Sequence, residues 1–470
     1  MKLWARAVAR SSRRQPDGWH IPGGRQIKVE RLLQRRRLNH YQRTARMHSL
    51  AALPCNIHTG GVEAQLNLAS VPIQALTKDT PMTDVAPPGF TPAPLSTPAR
   101  TATPTGRPLM LCLSHLRWGF VYQRPQHLMS RLAQSYDVLF FEEPLFAEHV
   151  QPQLLASHPA HGVTVLVPQL PAGTPHDQVI AMQRDLLDGY LAQHRDAELL
   201  LWYLTPMSLA FTDHLHGQVT IFDCMDELSA FMGAPPELIE RERQLLARAD
   251  VVFTGGQSLW VAKRHQHGNA HAMPSSVDIA HFAQARALLP DPADQAAIGH
   301  PRLGFFGVID ERFDIHLVDE LARQRPQWQI VLIGPVVKID PQTLPRRANI
   351  HYLGAKQYEQ LPHYLAGWDV ALMPFAINAS TRFISPTKTP EYLAGGRPVV
   401  STPIADVISG YGTSGVVSIA DTPAAFIAAV ERALGAEARD SVVVQADAAL
   451  DGMSWDKTCN AMKEQIECLR

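Results

Sequence analysis

STRFISPTKTPEYLAGGRPVVSTP, residues 380–403, is the stretch that decides the fold. A polar turn carries Ser385, Pro386, Thr387 and Lys388, and a short helix follows through Glu391, Tyr392 and Leu393. Gly395 and Gly396 end the helix, and Val399-Val400 opens a strand. Helices stop where glycine frees the backbone, and strands restart at β-branched residues. The helix start offers unpaired backbone N–H groups, a hydroxyl on each side of a proline, and a lysine, which together suit a phosphate. Lys388 just inside a helix start is electrostatically unfavourable, because the macrodipole is positive there, and an arriving anion offsets that cost. The competing reading of Lys388 is a solvated helix residue. Glu391 lies too deep in the helix for a cap, but its carboxylate could accept both hydroxyls of a ribose.

Outward from this stretch the same grammar repeats. LGFFGVID (303–310), IVLIGP (330–335), NIHYLG (349–354) and DVALMPF (369–375) precede it, and VVSI (416–419) follows. An earlier series contains LMLCLS (109–114), VLFFEEP (138–144), VTVLVPQL (163–170), LLLWYL (199–204), VTIFDCMDE (219–227) and VVFTGG (251–256). Short apolar runs alternating with helical segments predict parallel sheets covered by helices on both faces. Ligands bind such sheets at the carboxyl ends of the strands. Residues 268–300 break the rhythm and read as the connection between two α/β units. The expected domains are an N-terminal unit at 108–282, a linker at 283–300, a C-terminal unit at 301–453 and a last helix at 454–470, capped by Ser454 or Asp456.

Ahead of these units, residues 1–107 read as a mostly disordered extension. The first fifty residues are rich in arginine. Eight prolines lie between Pro81 and Pro108, a composition that buries too little surface to offset its ordering entropy. The basic arm reads either as a solvated extension or as a segment for anionic lipid or nucleic acid. The net charge of −1 gives no general pull towards nucleic acid. Five scattered cysteines, with no CxxC pair, suit a reducing compartment and no structural zinc. No apolar run approaches the roughly 20 residues of a membrane span, and the start has no apolar signal core. A cytoplasmic protein is expected.

Further clusters carry chemistry. Gly307 ends a strand and would let backbone approach a ligand, while Arg312 nearby could clamp phosphate. A glycine needed only for helix–sheet packing explains Gly307 equally well. Asp223, Asp226 and Glu227 close the strand VTIF and offer a general base, with Asp226 the candidate, or a metal site; a strand end with a helix cap is the plainer alternative. Trp118 with Gln123, Arg124 and His127 sets aromatic and hydrogen-bonding groups at a strand end, as a sugar acceptor would require, although His127 could be a surface histidine.

Together these motifs resemble the GT-B glycosyltransferases, in particular the family-4-like glycosyl transferases group 1, a retaining family typified by sucrose synthase and mannosyltransferases. PSSVDIAHF (274–282) is similar to the family's interdomain PNGVDxxxF, and EYLAGGRPVVST (391–402) to EAMACGxPVVAT. HLRWGFVYQRPQHL, FDCMDELSAF and SPTKTPEYLAGGRPVV resemble a bacterial subgroup of cell-surface polysaccharide enzymes of the teichuronic-acid type. The resemblance spans 109–470. It implies two tandem Rossmann-like domains facing a cleft, with the C-terminal helix crossing back to the first. It also implies transfer of a sugar from a nucleotide diphosphate donor, UDP being expected, to a glycan or lipid-linked acceptor at the cytoplasmic face of the inner membrane. No metal or other cofactor is expected. Glu391 matches the second glutamate of the family's EX7E motif, which binds the ribose. Phe383 stands where the first glutamate belongs, and Val308 where an arginine is common. Lys388 and the Ser385-Pro386-Thr387 turn would hold the diphosphate, Gly334 would border the base with residues 354–357, and Arg312 and Lys388 would neutralise the leaving group. A UDP-sugar epimerase of the same build, or a catalytically silent glycan-binding protein, are the alternatives.

Overall fold

Two parallel sheets in tandem, each flanked by helices, make up the computed structural model, which describes residues 106–470, the side chains of 436–440 excepted. The basic and proline-rich extension lies, up to residue 105, outside the described residues. In the N-terminal lobe the strands are β1 (Leu109–Leu113), β2 (Asp137–Phe141), β3 (Leu145–Ala147), β4 (Gln153–Ala160), β5 (Val163–Pro171), β6 (Leu199–Tyr203), β7 (Val219–Cys224), β8 (Val251–Thr254) and β9 (Ala270–Ala272). They run in the order β3-β5-β2-β1-β6-β7-β8-β9, with β4 antiparallel to β5. All five residues of β1 are buried, which accounts for its unbroken apolar run. The β4 sequence, QLLASHPA, carries polar residues on a partly exposed edge and gave no such signal. β9 is only three residues long and falls inside the stretch read as a connection.

The C-terminal lobe holds β10 (Arg302–Phe306), β11 (Gln329–Ile333), β12 (Ile350–Gly354), β13 (Val370–Met373), β14 (Val399–Ser401) and β15 (Val417–Ile419). Every pairing is parallel, in the order β12-β11-β10-β13-β14-β15. In both sheets the chain order reverses beside the first strand, at β1/β6 and β10/β13, and that is where open sheets of this kind leave a crevice.

The helices used below are α1 (Arg124–Leu132), α2 (Glu237–Arg248), α3 (Gln257–Lys263), α4 (Ile315–Gln324), α5 (Lys388–Ala394) and α6 (Trp455–Glu467). The connection is placed differently from expectation. Val277, Phe282, Ala285 and Ile298 belong to the core of the C-terminal lobe. Arg286 donates to the Ala394 carbonyl at 2.7 Å, and Arg397 to that of Ala285 at 2.7 Å. The apolar residues of SVDIAHF therefore fold with the second lobe, and the change of lobe precedes residue 277.

α6 crosses back. Trp455, Cys459, Met462 and Ile466 recur on one face and join the N-terminal core beside Leu128 and Met129. Ser454 is the cap, its hydroxyl accepting the Lys457 N–H at 3.1 Å, and Asp456 instead meets Arg131 at 2.6 Å. Ile466→Ala should destabilise the protein by about 2–5 kcal/mol, the cost of a core cavity, read from the urea midpoint at unchanged slope. A loss within about 0.5 kcal/mol would mean that the helix is a surface appendage.

Candidate active site

The expected donor side is built where two strand ends touch. Gly307 and Gly334 follow β10 and β11 with φ of +154° and +141°. A β-carbon on Gly334 would sit 1.8 Å from the Gly307 carbonyl oxygen, so only glycine permits this approach. Lys388 opens α5 beside them, its Cε 3.7 Å from where a Gly307 β-carbon would lie. The Lys388 ammonium donates to Glu391 Oε2 at 2.9 Å, with the two side chains 15% and 7% exposed, and lies 5.1 Å from the Phe306 ring centre. Lys388 is thus neither solvated nor idle: Glu391, one turn on, supplies its counter-charge. Burial pushes the Glu391 carboxyl up, against the pull of Lys388 and His281. Tyr392 locks α5 to β10, its hydroxyl accepting the Phe306 N–H at 3.0 Å. Thr387 occupies the cap position but makes no side-chain cap bond, and Ser385 and Thr387 are half-buried.

Arg312 does not stand free. Its guanidinium pairs with Asp310 at 2.7, 3.0 and 3.1 Å, and lies 5.2 Å from the Phe231 ring of the other lobe. Lys338 places its ammonium 4.9 Å from the same ring. Asp226 shares this surrounding: burial pushes its carboxyl up, Arg312 lowers it and Asp310 raises it again. Asp226 and Arg312, from opposite lobes, therefore share one electrostatic field.

On the expected acceptor side, the expectation for Arg124 needs correction. Arg124 is buried and meets Asp223 through three contacts of 2.8–3.1 Å, while also donating to the Met273 carbonyl at 2.7 Å. It fastens α1 to the end of β7 and has no face left for a sugar. The Gln123 backbone N–H donates to Gln126 Oε1 at 3.1 Å, and Gln126 in turn holds the Trp118 and Val121 carbonyls, so the Gln126 amide shapes the loop. Trp118 packs edge-on against Phe140 at 5.1 Å. His127 stacks on Trp455 at 4.4 Å and meets Tyr122 and Tyr358 edge-on, joining the N-terminal lobe, the C-terminal lobe and the crossing helix. Burial, then Arg131, Lys388 and His281, press its imidazole down to about 3, so it is neutral at ordinary pH.

The structure adds contacts that the sequence reading left out. Phe383 packs against the N-terminal core that contains Leu209, Leu245 and Leu259. An interlobe apolar contact thus occupies the place where the resemblance puts a carboxylate. His115, after β1, has a buried Nδ1 without a hydrogen-bond partner, and burial followed by Lys338 presses it down to about 4. Glu143, after β2, is pushed up to about 7 by burial, against Arg117 and Lys338. Their position at strand ends was the available signal; that Lys338 would face both was not readable from spacing.

The profile of the family described as glycosyl transferases group 1 matches residues 300–436. That match lies within the C-terminal lobe. Over 254 residues the chain is 27% identical to TuaH of Bacillus subtilis (strain 168), a protein provisionally assigned as a teichuronic acid biosynthesis glycosyltransferase. The match takes in 50% of this chain and 63% of TuaH. Among solved structures, sucrose-phosphate synthase from Thermosynechococcus elongatus superimposes with a TM-score of 0.59 at 15% identity, over 77% of this chain and 99% of that one. A trehalose-6-phosphate protein from E. coli bound with UDP-2-fluoro glucose gives 0.57 at 13% identity, over 77% and 98%. Anabaena Alr3699/HepE in complex with UDP and glucose gives 0.53 at 14% identity, over 76% and 99%. These likenesses establish the GT-B fold, and the group 1 profile matches its second lobe.

Glu143 provides a pH test. Its folded value, about 7, lies above that of an unfolded glutamate, so the folded state holds its proton more tightly. That contribution is complete at low pH and is lost as pH rises towards 7. Glu143→Gln should therefore gain stability over wild type between pH 5 and pH 8, by about 1–2 kcal/mol, in paired urea titrations. An equal difference at both pH values would show that the carboxyl titrates normally.

Proposed function

We propose that this protein transfers a sugar from a nucleoside diphosphate donor, UDP being the expected nucleotide, to a hydroxyl of a glycan or lipid-linked acceptor in cell-surface polysaccharide synthesis. The observation that carries the reading is the buried Lys388–Glu391 pair at a helix start beside the Gly307–Gly334 contact. It sits in the lobe that matches the group 1 family. The assignment given to TuaH supports the polysaccharide role, and the UDP ligands named for the E. coli and Anabaena structures support the nucleotide.

In this reading, Glu391 accepts hydrogen bonds from the ribose, and Lys388 with Ser385 and Thr387 holds the diphosphate. Gly307 and Gly334 let the ligand lie close to the main chain. As the bond from the sugar's anomeric carbon to the diphosphate oxygen breaks, its electron pair passes to the leaving diphosphate. Lys388 and Arg312 then meet charge that grows in the transition state. For transfer with inversion, the hydroxyl oxygen bonds to the anomeric carbon and Asp226 takes its proton, a role to which a buried carboxyl with a raised affinity for protons is suited. The step calls for no metal ion. His127, with Trp118, flanks the acceptor path as a wall, and the work is placed at the cytoplasmic face of the membrane. Among the described residues, no helix is long and apolar enough to cross a membrane.

UDP should raise the melting temperature where NAD does not. By calorimetry, Lys388→Ala should weaken UDP binding about tenfold or more, a loss of about 1.4 kcal/mol or greater, with Glu391→Ala also weaker than wild type. Unchanged affinity in both variants would remove this donor site. A new epimer formed from a UDP-sugar without acceptor would overturn the transferase reading.

A further inference from the structure

Asp406 stands on the short turn after β14, in the C-terminal lobe, and is buried. Its Oδ1 accepts the N–H of Ser258, in the first turn of α3 in the N-terminal lobe, at 2.9 Å. Its Oδ2 is buried without a hydrogen-bond partner, as is Ser258 Oγ. Gly256 leaves no space at this seam. A β-carbon there would come 2.1 Å from Asp406 Oδ2 and 2.7 Å from Ser385 Cβ. One glycine of the N-terminal lobe thus touches both Asp406 and the turn assigned to the diphosphate. Two residues before that turn, Phe383 is anchored in the N-terminal core. A further contact links the lobes where the Met232 N–H donates to Glu311 Oε1 at 3.3 Å.

We propose that Asp406 is a positioning residue, which fastens the start of α3 onto the Phe383–Lys388 loop and so couples closure of the lobes to the catalytic setting of that loop. The inference rests on the glycosyltransferase reading. Opening the seam would give both carboxylate oxygens to water, whereas closing it leaves Oδ2 and Ser258 Oγ unsatisfied, which is costly. The closed seam is therefore held without surplus, and contacts between a donor and the loop tip the balance. Closure in turn excludes water from a donor that water would otherwise hydrolyse. Phe383 supplies the apolar half of the seam and Asp406 the polar half. Gly256 sets how closely they can meet.

The test compares Asp406→Ala, Asp406→Asn and Gly256→Ala in the full chain. Each is followed by small-angle scattering with and without UDP, by UDP thermal shift, and by turnover of a UDP-sugar split into transfer and hydrolysis. The expected result is that Asp406→Ala and Gly256→Ala still bind UDP within about threefold of wild type but no longer contract on binding it. Their kcat for transfer should fall about tenfold, with hydrolysis taking a larger share. Asp406→Asn keeps an acceptor for the Ser258 N–H and should retain most of both. Contraction or transfer like wild type in Asp406→Ala overturns the proposal. So does an Asn variant as impaired as the Ala variant, because the bond to the Ser258 N–H would then not be what matters. If wild type itself fails to bind UDP, the donor reading fails instead. The seam is then judged by scattering of the free proteins, where Asp406→Ala should be larger than wild type, and equal size would overturn it.

Discussion

The buried pair of Arg124 and Asp223 is the contact on which the arrangement turns. Its two side chains are 2% and 0% exposed. From one guanidinium, bonds run to the end of β7, to the Met273 carbonyl where the chain leaves the first sheet, and to Met462 of the crossing helix at 3.9 Å. A buried ion pair is a weak source of net stability, because desolvation consumes most of the attraction. Removing one partner, however, strands a charge in the core at several kcal/mol. Such a contact does little to make the fold more stable and much to exclude other arrangements of the same segments. With α1 held at this angle, His127 is delivered to Trp455 and Tyr358, and the lobes meet through aromatic rings.

The contacts at the seam share a character: each lobe supplies what the other lacks. The C-terminal lobe brings cations, Arg312 and Lys338, to a phenylalanine of the N-terminal lobe. It brings a carboxylate, Asp406, to the start of an N-terminal helix. The N-terminal lobe returns an apolar floor for Phe383. These are small contacts with modest individual energies, cation–π pairs contributing about 0.5–2 kcal/mol. That suits a boundary which, on the proposed reading, opens for substrates to enter.

Much of this was legible in the sequence, and the reasons differ by element. LMLCL, DVALM and their kin announced parallel strands because a strand buried on both faces has no polar face to interrupt its run. The residues of SPTKTPEYLAGG were legible because a helix start, a lysine and a terminating glycine lie within a dozen positions of one another. Gly307 and Gly334 are far apart in the chain, yet each was marked by its place after a buried run. What could not be read was pairing across distance. Arg124 looks the same in a sequence whether it faces a sugar or Asp223, and only packing distinguishes the two. His115 and Lys338 likewise come from different sheets, and the burial that neutralises His115 is a property of the closed pair of lobes. The edge strand β4 failed for a simpler reason, since half-exposed residues follow no strict hydropathic rule.

The Lys388–Glu391 contact has one more consequence. A cation already neutralised by its own neighbour acts as a lock with two tumblers. A bare phosphate that captures Lys388 would leave Glu391 as an uncompensated carboxylate at 7% exposure, a state the interior resists. A neutral sugar could satisfy Glu391 but would give nothing to the ammonium. Only a molecule that carries an anion and a pair of hydroxyls, spaced by about one helical turn, replaces both halves of the bond it breaks. On the proposed donor reading, the pair disfavours bare phosphate, because a partial match breaks this bond without replacing both of its halves.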